Sequence, residues 1–309
     1  MAYDNSQLQT YKDCPERYRL KYLEELRKMD SGVEEHDREF GSAVHKGLEA
    51  HYKGLGLEKV KEVFSQAYPL QLNEEDKAKT LDNGITLLTE YAERYKEEDK
   101  GFELIQNEVV DEFEIAPGIT FLVKVDLVVR KQGCMYALDH KTTKKSFGWD
   151  YWGQFEPNPQ VTAQTAYVQA KWGECSGVII NGLSLGWIDK PKLLPLSAEA
   201  EARQYSKVEK KYSKYYGEEM WYVSGFHCEF QRQLFNRNKS QVEAWKQDTV
   251  HWIEKVKAHR ETIGSGVWPK NEGQCRFCSY KEVCISCADE QVIEQLYERH
   301  DALEYLKGE

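Results

Sequence analysis

In the stretch GITFLVKVDLVVR, residues 118–130, the odd-numbered positions hold Ile119, Phe121, Val123, Val125, Leu127 and Val129. A period of two is that of a β-strand, whose side chains alternate between the two faces of a sheet. One face of this strand is wholly apolar and belongs in a core, so the chain around it must build a sheet with a covered side. The other face carries Thr120, Leu122, Lys124, Asp126, Val128 and Arg130. Asp126 therefore falls mid-strand among β-branched neighbours, where a carboxylate is costly unless paired or metal-bound.

A second strand follows in CMYALDHKT, residues 134–142. If RKQG is a four-residue loop, Val129 pairs with Cys134 and Asp126 lies opposite Ala137. Asp139 is then its diagonal neighbour on the same face, roughly 7–8 Å away. Lys141 shares that face and His140 points the other way. Two ionised carboxylates so close repel each other, and a divalent cation with hard oxygen ligands removes the repulsion. The alternative is a pair of surface ion pairs, Asp126–Lys124 and Asp139–Lys141; spacing leaves both open. The first suggests metal-assisted hydrolysis, with Mg²⁺ polarising a phosphoryl oxygen and activating water. The amine of Lys141 would offset charge in the transition state.

Other segments fill in an α/β pattern. Ser6 and Gln9 form a capping-box pattern, and Pro15 interrupts the helix it opens. Residues 42–53 and 56–98 have helical spacing of apolar residues. Strands are expected at 103–116, 177–188 and 221–234. Asn158–Pro159 is an N-cap followed by proline at the first helical position, and Gly173 is the stop. Ser240 is expected to cap a long helix, and a last helix starts near 288. The segment 207–216, KVEKKYSKYY, reads as a solvated helix face or a basic, aromatic patch for nucleic acid. No Pro/Gly-rich linker divides the chain. The expectation is one α/β domain over residues 1–309: a helical part at 1–100, a core at 101–235 and a helical part with cysteines at 236–309.

Three further features carry chemistry. His45, in GSAVHKGLEA, lies on an expected helix and is either structural or a neutral imidazole ligand. On the helix from Asn158, the stripe Gln160, Gln164, Tyr167, Lys171 is either a solvent face or a set of phosphate contacts. Near the end, QCRFCSYKEVC places Cys275, Cys278 and Cys284 within ten residues. Thiolate sites usually take four ligands. The chain has eight cysteines, and no signal-like leader or apolar run of membrane-spanning length. An intracellular, cytoplasmic protein, of cellular or viral origin, is expected, with cysteines as ligands or buried thiols rather than disulfides. The formal net charge of −10 argues against nucleic acid only on average, since it does not describe a cleft.

Together these motifs resemble the RecB-like, iron–sulfur-containing branch of the PD-(D/E)XK nucleases, which includes CRISPR-associated exonucleases. SQLQTYKDCPERYRLKY is similar to the family's opening helix with its CP-x-x-Y element. GSAVHKGLE is similar to its G-x-x-x-H helix. VDLVV and LDHKT are similar to its D…(D/E)-x-K core, and QTAY is similar to the glutamine–tyrosine motif that follows. The resemblance implies a restriction-endonuclease-like core, a small mixed sheet with a crossing helix, wrapped by N- and C-terminal helices. It implies Asp126, Asp139, Lys141, Gln164 and Tyr167 as catalytic residues. The metal, Mg²⁺ or Mn²⁺, would be held by His45, Asp126, Asp139 and the carbonyl of His140, with Glu108 a further acid. The fourth cluster ligand would be Cys14, joining Cys275, Cys278 and Cys284 around a [4Fe–4S] cluster. Zinc, Cys287 in place of Cys284, or a local site of Cys275, Cys278, Cys284 and Cys287 are the alternatives. The implied function is an exonuclease on single-stranded DNA ends. A non-catalytic DNA-binding or assembly subunit and a zinc-stapled protein-interaction module are the competing readings. A second copy of the chain or a separate helicase or recombination protein are the partners left open; no membrane is expected.

Overall fold

The structure, a computed structural model, describes residues 3–29, 32–68, 76–194, 205–261 and 267–303. Helix α1 (Asn5–Asp13) starts from Asp4, whose side chain accepts the Gln7 N–H; the expected Ser6 cap is already inside the helix. Pro15 restarts the chain as α2 (Pro15–Tyr18), which runs through a π-turn into β1 (Leu26–Lys28). Helices α3 (Gly32–Tyr52), α4 (Leu57–Ala67) and α5 (Leu81–Tyr95) follow. The stretch expected to be helical over 56–98 is thus two helices.

The centre is a mixed six-stranded sheet. Its strands are β2 (Glu103–Ala116), β3 (Ile119–Lys131), β4 (Cys134–Thr143), β5 (Val178–Leu194), β6 (Tyr205–Ser213) and β7 (Glu218–Phe235). They lie in the order β2-β3-β4-β5-β7-β6. Only β4 and β5 run parallel. A parallel pair needs a long crossover, supplied here by α6 (Trp149–Gly153) and α7 (Pro159–Trp172). The Asn158 side chain caps α7 and Gly173, at φ 84°, ends it, as expected from the sequence. Segment 207–216 corrects the expectation of a helix face: β6 is an edge strand paired only with β7 among the described residues. With both faces largely in solvent and lysines along its edge, it has no apolar period to read.

The turn between β3 and β4 is also shorter than expected. Lys131 pairs with Cys134, and Gln132 and Gly133 both take positive φ, 52° and 81°. This is a two-residue turn of the kind that matches strand twist. It moves the register by two residues, so Asp126 and Asp139 come next after the final pair, Leu127–Leu138.

One side of the sheet packs against α1, α7 and α8 (Lys239–Glu261), around Phe121, Val125, Val161 and Trp245. Asn238, rather than Ser240, caps α8 by accepting the Gln241 N–H. The other side packs against α3, α4 and α5, around Phe40, Leu48, Phe64 and Leu183. After two short helices, α9 (Lys281–Ile285) and α10 (Glu290–Leu296), strand β8 (Tyr297–Arg299) pairs with β1. No described helix is long and apolar enough to cross a membrane.

Gly182 pairs with Lys141 across β4 and β5. A Cβ there would meet the Phe147 ring at 2.5 and 2.9 Å and the Tyr151 hydroxyl at 3.3 Å. The absent side chain is what lets the segment around α6 sit against the strand carrying Lys141. Gly182→Ala is expected to lower stability by about 1–3 kcal/mol through overpacking, read as a lower denaturant midpoint with an unchanged slope.

Candidate active site

The expected single apolar face of β3 is broken at Asp126. Phe121, Val123, Val125 and Val128 belong to the core beside α7, whereas Leu127 and Val129 pack with Leu138 and Ile179 on the other side. The opposing residue in β2 is Glu108, held at a positive φ of 49°, and the ladder skips the Glu108/Asp126 pair. A strand irregularity of this kind re-aims a side chain.

Asp126 and Asp139 are each 3 % exposed, which removes the reading as surface ion pairs. Side chains from different helical layers reach the two acids. Asp139 points at α7: its Oδ1 accepts from Gln164 Nε2 at 2.9 Å and Gln160 Nε2 at 3.1 Å. Asp126 lies in the gap where β3 and β4 part. Its Oδ2 accepts the His140 N–H at 2.7 Å, a donor that a continued ladder would give to a β3 carbonyl. Its Oδ1 lies 3.2 Å from His45 Nδ1, brought in by α3.

Lys141 joins the two acids. Its Nζ is 2.6 Å from Asp139 Oδ2 and 3.2 Å from Gln160 Oε1. Burial disfavours its charge, but Asp139 and Asp126 outweigh burial and raise its pKa above the ordinary value. Burial likewise disfavours a charged His45, yet Asp126, with Asp139 behind it, raises that pKa too. Burial would raise Asp126, and His45 reverses it, holding the carboxyl well below the usual range. Glu108 is raised by burial and by Asp126, against the 3.1 Å ion pair with Lys124.

Ligand atoms of His45, Glu108 and Asp126 lie within 4.8 Å of one another, the one such group of three among the described residues. One imidazole and two carboxylates form a donor set that fits Mg²⁺ or Mn²⁺. Asp139 faces Lys141 with one oxygen and the two glutamines with the other. The His140 side chain faces the α3–α5 layer, where burial lowers its pKa to about 3, and only its main chain faces Asp126.

The Tyr167 hydroxyl donates to Asp111 at 3.0 Å, beside the Lys171–Asp111 pair, and makes no described hydrogen bond to Asp139. Gln160 stands in the place expected of it. The sequence reading also passed over Tyr151. Its buried hydroxyl has no partner among the described residues, and burial and Asp139 push its pKa up to about 12. The aromatic run FGWDYWGQF was its only trace.

Cys14, Cys275, Cys278 and Cys284 line one cavity of about 50 Å³, together with Lys270 and Asn271. The Asn271 N–H donates to Cys14 Sγ at 3.4 Å. Cys287 is exposed and does not line it. Cys175 and Cys228 are thiols pushed up by burial, Cys228 to about 12.

A buried acid–lysine–histidine centre at the fork of a mixed sheet defines a hydrolytic nuclease fold. The family description of the PD-(D/E)XK nuclease superfamily matches residues 5–285, and the chain belongs to that superfamily. No curated protein sequence matches the chain. Among solved structures, a Eubacterium rectale protein named “Putative exonuclease” is 13% identical with a TM-score of 0.45, covering 91% of this chain and 86% of its own. A protein named SSO0001 is 11% identical with a TM-score of 0.28, covering 79% and 83%. The assignment rests on the family match.

Tyr167→Phe is expected to cost about 1 kcal/mol of stability, the worth of one hydrogen bond, and to leave nuclease turnover unchanged. Thermal unfolding and a cleavage assay on the same preparation check this.

Proposed function

We propose that the chain is one nuclease domain that hydrolyses DNA phosphodiester bonds with Mg²⁺ or Mn²⁺, acting as an exonuclease on single-stranded ends. The observation that carries the reading is the convergence of His45, Asp126, Asp139 and Lys141, from three separate sequence motifs, on the fork between β3 and β4. His45, Asp126 and Glu108 would hold the metal, with Asp139 and the His140 carbonyl as further proposed ligands. When bound, the metal polarises the phosphoryl group and lowers the pKa of its water. Lys141 stabilises the growing charge, and Gln160 and Gln164 orient Asp139 and Lys141.

Single-strand preference is supported by α6. Trp149, 87 % exposed, follows Lys145 and lies in the same short helix as the buried Tyr151 and Trp152, after the partly buried Phe147. An exposed indole on a rigid base suits stacking of an unpaired base. Trp149→Ala is expected to weaken binding of single-stranded oligonucleotides by about five-fold or more, with little effect on duplex; equal effects on both would remove this preference.

The four cysteines of the cavity are proposed to hold a structural [4Fe–4S] cluster, which supports placement near the RecB-like branch. Metal analysis of anaerobically purified protein should find iron and sulfide; zinc alone would favour the interaction-module reading.

The main test is nucleotide release from 5′- and 3′-labelled linear DNA with Mn²⁺. Asp139→Ala and Lys141→Ala should each reduce it by at least about a hundred-fold with circular dichroism unchanged. Undiminished activity in both would reject the assignment.

A further inference from the structure

Behind the fork, a buried hydrogen-bonded chain leads from β7 to His140. Arg232, whose side chain is 7% exposed, lies 3.5 Å from the Tyr95 ring centroid. Its Nη1 donates to Asp99 Oδ1 at 2.5 Å, its Nη2 to the Tyr91 and Tyr52 hydroxyls at 2.9 Å each, and its Nε to Asn181 Oδ1 at 3.4 Å. Asn181 Nδ2 contacts the Tyr91 hydroxyl and His140 Nδ1, both at 2.7 Å.

Every proton in this chain has one consistent placement. A guanidinium only donates, so the Asn181 atom facing Arg232 is the carbonyl oxygen, and the amide nitrogen faces Tyr91 and His140. That nitrogen also only donates, so His140 Nδ1 accepts and the ring proton sits on Nε2. Tyr91, accepting from Asn181 and Arg232, gives its own proton to Tyr52 at 2.7 Å. Tyr52 gives its proton to Asp99 at 2.9 Å. The direction runs from a donor-only cation on one strand to the tautomer of a residue on another. His140 Nε2 is buried without a partner among the described residues, and the ring stacks on Tyr52 at 5.8 Å.

We propose that Arg232 and Asn181 are positioning residues of the nuclease site: they lock the His140 ring as the Nε2–H tautomer in one orientation, and so hold the His140 amide that anchors Asp126. The inference rests on the metal-dependent reading above. Neither residue touches the carboxylates; both act through His140. Partners of ligating carboxylates that are lost typically cost 10- to 100-fold in metal affinity.

The test uses the full-length protein as purified, with no DNA present. Selective ¹⁵N-histidine labelling reads the ring of His140, assigned by the signal lost in His140→Gln. The wild type should show an Nε2–H ring. Asn181→Asp, of the same shape but with no amide donor, should move the proton to Nδ1. Mn²⁺ titration followed by electron paramagnetic resonance should show affinity reduced about 10- to 100-fold in Asn181→Ala and Arg232→Met, with partial recovery in Arg232→Lys. A wild-type Nδ1–H ring overturns the inference even if every variant misfolds. So does Mn²⁺ affinity unchanged in a folded Asn181→Ala. A wild type that shows the Nε2–H ring but binds no Mn²⁺ sinks the metal-dependent reading, and the positioning role with it.

Discussion

One hydrogen bond organises the centre of this protein: the His140 amide donating to the Asp126 carboxylate in the gap between β3 and β4. An antiparallel pair that separates leaves backbone donors and acceptors bare, and buried bare groups are costly. Asp126 takes one of those donors, so the fork is stable with an acid inside it. The same acid attracts the His45 imidazole from α3. Asp139, one step along the other strand, is held from the opposite layer by α7. Two helical layers thus reach one point through a hole in the sheet between them, and neither layer could supply the site alone.

Burial gives the arrangement its chemical character. Charges that water would screen at the surface interact strongly when enclosed. Asp126 and Asp139 outweigh the desolvation of Lys141 and His45 and raise both pKa values above their ordinary ones. A divalent cation at Asp126 would take the neutral form of the His45 ring, since a protonated histidine cannot ligate.

Much of this was legible in the sequence wherever the signal is local. Asn158, Pro159 and Gly173 mark both ends of α7 because capping depends on a few adjacent residues. The strands around Asp126 and Asp139 were readable because they are rich in apolar residues bounded by a turn signal. The register was not, since Gln132 sits in a left-handed conformation that few residues other than glycine advertise. Nor was the break in alternation at Asp126, which depends on the backbone of Glu108 on another strand. β6 escaped because an exposed edge has no buried face to leave a pattern. The assembly of Cys14 with the C-terminal cysteines was suggested only by family resemblance. The structure gives it a frame: β1 pairs with β8, Lys28 meets Glu282 at 2.9 Å, and Tyr280 donates to the Leu26 carbonyl at 2.8 Å. These contacts tie the two ends of the chain beside the cysteine cavity.

The central claim is that the fork between β3 and β4 holds a divalent cation. The most direct measurement is a crystal structure of the protein grown with Mn²⁺, with anomalous scattering recorded at a wavelength where manganese is visible. The account predicts a manganese peak bonded to His45 and Asp126. A fully ordered fork with no peak, or a peak bonded elsewhere while His45 and Asp126 keep their direct contact, would contradict it.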